Sequence, residues 1–188
     1  VCSLPKVCKA FHIPVQSGSD RILQRMHRGD TAAAYLEVLA ALRQRVPHVD
    51  FSTDVIVGFP GETPADFAAT RELMRTADFD MAYIFRYSPR RGTKAAESLP
   101  DDVPDEVKRE RNRIILEDLE HGVERRNRAY LGQRVEVLAE GPSLRNPRRW
   151  QGRTETNKVV LFTPPPGATP GVLLGVEIQR VTSHSLFG

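Results

Sequence analysis

The sequence has few of the residues that mark a metal centre. It contains two cysteines, Cys2 and Cys8, which lie six residues apart without a third thiol nearby. A bound metal or iron–sulfur cluster needs three or four ligands at close spacing. The five histidines are scattered and give no metal-binding spacing either. We therefore predict free thiols and no metal site within these 188 residues.

Long apolar runs and several common catalytic motifs are also missing. No segment approaches the length of a membrane span, and the first eight residues lack the apolar core of a signal peptide. There is no GxxxxGK[ST], no GxSxG and no HExxH, the signatures of P-loop, α/β-hydrolase and zinc-protease chemistry. Because 40% of the residues are hydrophobic and 27% are charged, we expect a globular cytoplasmic protein without a membrane partner.

The net charge of +3 is distributed unevenly. Residues 129–188 hold seven of the 27 Lys/Arg and four of the 24 Asp/Glu, so residues 1–128 hold twenty of each. A basic domain of this kind is typical of nucleic-acid binding. Trp150 lies among the basic residues and offers one stacking ring, so we predict RNA contacts from Arg149, Trp150, Arg153 and Lys158. A solvated basic loop is the alternative interpretation.

Strand and helix patterns alternate over the first 128 residues. We predict strands at residues 10–15, 51–57 and 81–87, with helices between them, and this order indicates right-handed crossovers and a parallel sheet. The run from Asp54 to Val57 is mostly β-branched and apolar, so we expect it to be covered on both faces. A charge-rich helix over residues 104–130 is interpreted as solvated, with one narrow apolar stripe; a connector between the two domains is the alternative interpretation.

The pattern changes after residue 128. Residues 134–139, 159–162 and 172–181 have the character of short strands, separated by Gly- and Pro-rich turns. These features predict a small antiparallel β-barrel. We therefore predict an α/β domain over residues 1–128 and a β-barrel domain over residues 129–188.

Three polar clusters follow the three predicted strands, at residues 16–19, 58–62 and 87–90. The carboxyl ends of parallel strands lie at one edge of a sheet, so these clusters can converge on one ligand. Arg28 and Arg90 could pair with a carboxylate or phosphate of that ligand. Taken alone, each cluster is more simply explained as a turn that caps a helix.

These same segments resemble a known family. Residues 12–20, 26–29, 54–63 and 87–93 resemble the radical-SAM methylthiotransferases in order and spacing. Residues 131–162 resemble the TRAM domain that ends those enzymes. Within the family, the sequence is most similar to the branch of tRNA-2-methylthio-N6-isopentenyladenosine synthases.

The resemblance implies a fold and an activity. It implies the C-terminal half of a partial parallel α/β barrel followed by a TRAM barrel. Enzymes of the family use S-adenosylmethionine and two [4Fe-4S] clusters to add a 2-methylthio group to an adenosine of tRNA at position 37, beside the anticodon. No CxxxCxxC motif is present here, so we expect a part of a longer, monomeric enzyme that lacks the cluster ligands and is inactive alone. The resemblance leaves the sulfur donor unknown.

The resemblance also suggests roles for individual residues. Gln16 and Ser17 would line the SAM pocket, and Arg28 would approach the SAM carboxylate. The loop would pass the adenosyl group through Gly58, Pro60, Gly61 and Glu62. Tyr87 and Arg90 would face the substrate base. No catalytic residue is assigned.

Two alternatives stay open. One is a sibling methylthiotransferase that acts on a ribosomal protein or on another modified adenosine. The other is a non-catalytic RNA-binding protein whose basic barrel is the working part.

Overall fold

A computed structural model describes residues 7–188, which form two compact units. The α/β unit consists of His12–Arg45 and Phe51–Glu120. The barrel unit consists of His121–Gly188 together with residues 7–11 and Val46–Asp50. This division by packing falls within a helix, whereas the boundary at residues 128/129 remains a prediction from sequence.

The first part of the chain alternates strands and helices as expected. Its elements are β1 (Ala10–His12), α1 (Asp20–Arg25), α2 (Ala32–Arg45), β2 (Asp50–Val57), α3 (Pro64–Ala77), β3 (Met81–Arg86), α4 (Lys94–Ser98) and α5 (Asp105–Asn127). The sheet order is β1-β2-β3, and β2 and β3 run parallel. The predicted parallel α/β architecture is therefore confirmed.

Local sequence signals set the ends of α3. The Thr63 hydroxyl accepts a hydrogen bond from the Asp66 N–H, and the Asp66 carboxylate accepts one from the Thr63 N–H. Pro64 occupies the first turn, where its missing N–H costs nothing. Asp78 ends the helix in the left-handed conformation, with φ 48°. These caps fix the point at which the chain leaves the sheet edge and returns to it.

The expectation that the end of β2 is covered on both faces is wrong for this chain. Phe51, Thr53, Val55 and Val57 are buried, whereas the alternate side chains are partly exposed. The helices cover one face only, so buried and partly exposed side chains alternate along the strand. The other face of the sheet is open to solvent within the described residues.

The second part of the chain forms a curled sheet. Its strands are β4 (Arg134–Pro142), β5 (Trp150–Arg153), β6 (Val159–Phe162), β7 (Leu173–Glu177), β8 (Arg180–Val181) and β9 (Leu186–Phe187), in the order β7-β4-β5-β6-β9-β8. All pairs are antiparallel except β6 with β9. Two residues separate β7 from β8, so the two ends of the sheet adjoin in the chain and the sheet curls into the predicted small barrel. Its core is apolar: Val137, Ala139, Val160, Phe162, Val176, Ile178 and Leu186.

Two short barrel strands, β5 and β9, were not predicted from the sequence. No strand was predicted over residues 150–153, for which a solvated basic loop was the alternative interpretation, but they form β5 between β4 and β6. Gly152 is buried there, and a Cβ at this position would overlap the Leu138 carbonyl oxygen. A glycine in place of an apolar side chain hides the alternation that marks a strand.

Among residues 7–188, no helix combines the length and apolar character needed to cross a membrane.

Candidate ligand site at the strand ends

The loop after β2 has a backbone that only glycine adopts without strain. Gly58 and Gly61 have φ of 72° and 77°, in the left-handed region. Gln16 also has a positive φ of 73° and forms a parallel bridge with Val55. Left-handed non-glycine residues are uncommon and often occur at functional sites. The structure therefore brings two of the three predicted clusters to the same edge of the sheet.

Groups from other segments hold both sides of this loop. Arg25 Nε donates to the Pro60 carbonyl at 3.2 Å, and Arg21 Nη2 donates to the Gly61 carbonyl at 2.6 Å. On the other side, Asp102 Oδ1 accepts from the Gly61 N–H at 2.6 Å. Arg21 also forms an ion pair with Asp66. The conformation of the loop is thus fixed from both α1 and the segment before α5.

Glu62 forms a buried ion pair beneath the loop. Its Oε2 accepts from the Gly58 N–H at 2.7 Å and from Arg111 Nη1 at 2.5 Å. The side chain of Glu62 is fully buried and that of Arg111 is 9% exposed. Burial raises the pKa of Glu62, although the Gly58 N–H and Arg111 act in the opposite direction. Among the described residues, Glu62 Oε1 has no hydrogen-bond partner. The hydrogen bonds to Oε2 therefore offset only part of the cost of burying the carboxylate.

Lys108 of α5 covers the other side of Gly58. A Cβ on Gly58 would overlap the Cγ of Lys108, whose Nζ forms an ion pair with Asp101 at 2.5 Å. The same Nζ lies 5.5 Å from the ring centroid of Tyr87, which packs edge-on against Phe59 at 5.2 Å. The third predicted cluster therefore meets the loop through Tyr87.

The remaining predicted residues of this site are placed differently. Ser17 is fully buried, and its hydroxyl lies 3.3 Å from that of Thr70, which argues against a ligand contact. Arg28 is exposed after α1 and has no ion pair with any residue of 7–188. Arg90 is exposed, and its carbonyl accepts from the Thr93 hydroxyl at 2.8 Å. Ligand contacts by these residues stay predictions.

In the barrel unit, the structure gives the predicted RNA-binding residues internal partners. Lys158 is 9% exposed, and its Nζ lies 3.3 Å from Asp50 Oδ2. Trp150 packs against the barrel core. Arg153 donates to Glu140 at 3.0 Å, and Arg149 Nη1 lies 3.4 Å from the Gly188 carbonyl oxygen. Burial and pairing argue against Lys158 as a phosphate contact, and RNA contacts by all four stay predictions.

The described residues do not assemble a metal centre. Cys8 is a free, exposed thiol, and Cys2 lies outside the described residues. Within residues 7–188, no three His, Cys, Asp or Glu side chains come together in a way that could hold a metal ion.

Sequence reasoning missed the cations that hold the loop. Lys108 and Arg111 belong to the helix that was interpreted as solvated, yet both are buried. Their spacing of three residues places them on one helix face, but the many other charges of α5 hide that signal. Arg21 and Arg25 are four residues apart on α1 and likewise face one side.

Comparison with known proteins identifies two domains in the chain. Residues 3–74 match the Radical SAM superfamily and residues 128–188 match the TRAM domain. The tRNA-2-methylthio-N(6)-dimethylallyladenosine synthase of Moorella thermoacetica is 46% identical over all of this chain and 42% of its own length. That of Opitutus terrae is 48% identical over 98% of this chain and 38% of its own length. The chain thus spans about two fifths of the length of these curated relatives.

A solved structure agrees with the fold. Coproporphyrinogen III oxidase from Escherichia coli, described as a Radical SAM enzyme, superposes with a TM-score of 0.53 at 20% identity, over 61% of this chain and 27% of that one. This likeness concerns the fold alone. Together, these matches show a Radical SAM segment at residues 3–74 and a TRAM domain at residues 128–188, in a chain that is similar over 98–100% of its length to tRNA-2-methylthio-N(6)-dimethylallyladenosine synthases.

Proposed function

We propose that this chain is the C-terminal part of a tRNA methylthiotransferase that adds a 2-methylthio group to N6-dimethylallyladenosine at position 37. One observation carries the proposal: the identity of 44–48% to synthases of this name extends over 98–100% of the chain. The region of similarity therefore includes both the strand-end site and the barrel unit. The longer protein would act in the cytoplasm with tRNA as its partner.

The strand-end site suits S-adenosylmethionine by the chemistry of its groups. Gln16, with its strained backbone, adjoins the fixed loop of Gly58, Pro60, Gly61 and Glu62. Arg28 offers a guanidinium without a partner among residues 7–188, which fits a carboxylate. Tyr87 offers an aromatic ring beside the loop. The bound cofactor would supply the radical chemistry, while these residues position it.

The described residues do not fit a [4Fe-4S] cluster. They contain one cysteine, Cys8, and no group of three ligands, whereas such clusters are held by cysteine thiolates. We derive no step through a cluster and propose that the 188-residue chain is inactive alone. The two clusters implied by the family would be held by other parts of the enzyme.

Deleting the gene that encodes the chain tests the proposal. Mass spectrometry of tRNA nucleosides should show that the 2-methylthio group disappears and that N6-dimethylallyladenosine accumulates. Restoring the gene should restore the group. Persistence of the group in the deletion strain would refute the assignment.

Two other functions remain as outcomes of that experiment. If tRNA is unchanged and a ribosomal protein or another adenosine loses a methylthio group, a sibling methylthiotransferase is indicated. If no methylthio group is lost but the chain still binds RNA, the chain is a non-catalytic RNA-binding protein. The basic excess of the last third favours this second alternative over other binding modules.

A further inference from the structure

Lys108 is a buried cation on the charge-rich helix α5. Its side chain is 3% exposed, whereas that of the next residue, Arg109, is 55% exposed and pairs with Glu106 at 2.9 Å. Lysine is almost never buried unless it is paired, because its ammonium group loses its hydration on burial. The groups around Lys108 therefore indicate what its burial achieves.

The aliphatic part of Lys108 packs on the loop after β2. A Cβ at Gly58 would overlap the Cγ of Lys108 and come within 3.1 Å of its Cδ, so the side chain lies directly on the Gly58 backbone. The Gly58 N–H donates to Glu62 Oε2 at 2.7 Å. Gly58 is thus held by a hydrogen bond and covered by the stem of a lysine, whose head group is free to reach a polar partner elsewhere.

The ammonium group of Lys108 reaches the end of β3. Its Nζ lies 5.5 Å from the ring centroid of Tyr87, within the range of a cation–π contact. Two carboxylates hold the ammonium there, Asp101 at 2.5 Å and Asp105 at 3.8 Å. Burial and then Asp101 raise the pKa of Tyr87, and Lys108 acts in the opposite direction. The charges of this cluster therefore act on the Tyr87 ring.

Lys108 connects two of the three strand-end clusters through these contacts. The Tyr87 N–H donates to the Val57 carbonyl at 2.8 Å, which fixes the backbone at the end of β3. The Tyr87 ring is placed by side chains, namely by Phe59 edge-on at 5.2 Å and by the Lys108 ammonium. Because the stem of Lys108 lies on Gly58, one side chain joins the loop after β2 to the ring after β3.

We propose that Lys108 is a positioning residue for S-adenosylmethionine, which holds Tyr87 at a fixed distance from Gly58 and so preorganises the strand-end site for the adenosyl group. Lys108 acts through these two residues and not by contact with the ligand. A ligand that meets a ring already held in place does not bear the cost of ordering it. The inference rests on the proposed function for the identity of the cofactor.

Three substitutions in the full-length enzyme separate the stem of Lys108 from its charge. Lys108→Met keeps an apolar stem on Gly58 and removes the ammonium. Equilibrium dialysis with tritiated S-adenosylhomocysteine should show that it weakens binding by about 2–30-fold, the equivalent of one cation–π contact. Lys108→Arg should restore most of the affinity, because a guanidinium also pairs with carboxylates and stacks on rings. Lys108→Ala should bind more weakly than Lys108→Met, because it also uncovers Gly58.

Arg109→Met is the matched control, because it removes a cation from the neighbouring, exposed position of the same helix. It should bind S-adenosylhomocysteine as wild type does. Asp101→Asn removes the closer carboxylate at the ammonium and should weaken binding in the same direction as Lys108→Met. If Lys108→Met and Asp101→Asn both bind like Arg109→Met, the inference is wrong.

A double substitution distinguishes positioning from a role in stability alone. In a Tyr87→Leu background, Lys108→Met should weaken binding no further, because the ring that the ammonium holds is gone. A lysine that only stabilises the fold would weaken binding by the same factor in both backgrounds. Equal factors in the two backgrounds would therefore refute the inference.

Hydrogen exchange in the 188-residue chain tests the positioning without any cofactor. The Tyr87 N–H should exchange about 2–30-fold faster in Lys108→Met than in Arg109→Met, since the end of β3 has lost one contact. The Ile178 N–H, bound to the Gln133 carbonyl at 2.9 Å in the barrel unit, should exchange equally in both. Equal exchange of the Tyr87 N–H in the two variants would contradict the inference.

The gene-level experiment separates this inference from the proposed function. If the deletion strain keeps the 2-methylthio group, the proposed function is wrong, whatever Lys108 does. If the group is lost on deletion but Lys108→Met binds S-adenosylhomocysteine as wild type does, this inference alone is wrong.

Discussion

The buried pair of Glu62 and Arg111 should dominate the stability of the strand-end loop. Arg111→Met leaves the fully buried carboxylate of Glu62 with the Gly58 N–H as a hydrogen-bond donor but without its counter-charge. Breaking a buried pair in this way costs about 3–5 kcal/mol. Total stabilities are about 5–15 kcal/mol, so the loss should be a large part of the whole.

A double-mutant cycle measures the coupling. We expect Arg111→Met to lower the free energy of unfolding by about 3 kcal/mol or more, as removal of one partner of a buried pair does. Glu62→Gln should lower it by less, because the raised pKa of Glu62 means that a neutral side chain is favoured at this position on folding. The double variant should be less destabilised than the sum of the two, with a coupling of about 1–3 kcal/mol. Urea unfolding followed by circular dichroism at 222 nm gives the values.

The control pair lies on the same helix. Arg113 and Glu110 form an ion pair at 2.6 Å, but each side chain is 55% exposed. Their cycle should give a coupling of about 0.3–0.5 kcal/mol, as expected for exposed helical pairs. Couplings of equal size for the two pairs would refute the reasoning that burial decides the effect.

The pH dependence of the pair follows from the direction of the shift. Burial raises the pKa of Glu62 above its ordinary value of 4.5, so the folded state holds this proton more tightly than the unfolded state. The stability contributed by this group is therefore largest below pH 4.5 and falls as the pH rises through the raised pKa. Arg111→Met removes a charge that opposes the shift and should steepen the fall, which unfolding curves between pH 4 and 8 would show.

Three other substitutions test separate features. Asp66→Asn removes the carboxylate of the α3 capping box and should lower the free energy of unfolding by about 1–2 kcal/mol. In the wild type, burial would raise the pKa of Asp66, but hydrogen bonds from Arg21, Ser19 and Thr63 outweigh this effect and hold the pKa well below 3.8. The stability that ionised Asp66 contributes to the wild type is therefore lost as the pH falls below 3.8. In Asp66→Asn, the urea midpoint should decrease less over this acidic range. Gly58→Ala should cost about 1–2 kcal/mol from its left-handed backbone alone, plus the overlap with Lys108, whereas Gly29→Ala, with no atom within 4 Å, should change the urea midpoint little. Lys158→Met should lower the melting temperature, because Asp50 loses a partner, yet leave the salt dependence of RNA affinity unchanged; a shallower slope would restore Lys158 as a phosphate contact.

The sequence was most informative where a local signal acts. The start of α3 carries such a signal, because Thr63, Pro64 and Asp66 act within one turn of each other. The parallel order of β2 and β3 followed from the alternation of strands and helices. Both depend on neighbours in the chain, which a sequence displays directly.

Contacts between distant segments were not predicted. Arg111 reaches Glu62 across 49 positions, and Gly61 is held by Asp102 across 41. Nothing in a charge-rich helix distinguishes a buried arginine from a solvated one, because its partner lies in another segment. The open face of β2 was missed for a different reason. Polar residues alternate with buried ones at Ser52 and Asp54, but the apolar run that follows hides this alternation.

The anchoring of Pro60 and Gly61 has a consequence for ligand affinity. Two arginine side chains and one carboxylate already restrain the peptide groups of this loop, so its backbone entropy has been lost on folding. Ordering a mobile residue costs about 1–2 kcal/mol, and a ligand that meets this loop does not bear that cost. Such preorganisation would let a ligand at this loop bind through contacts with only a few backbone atoms.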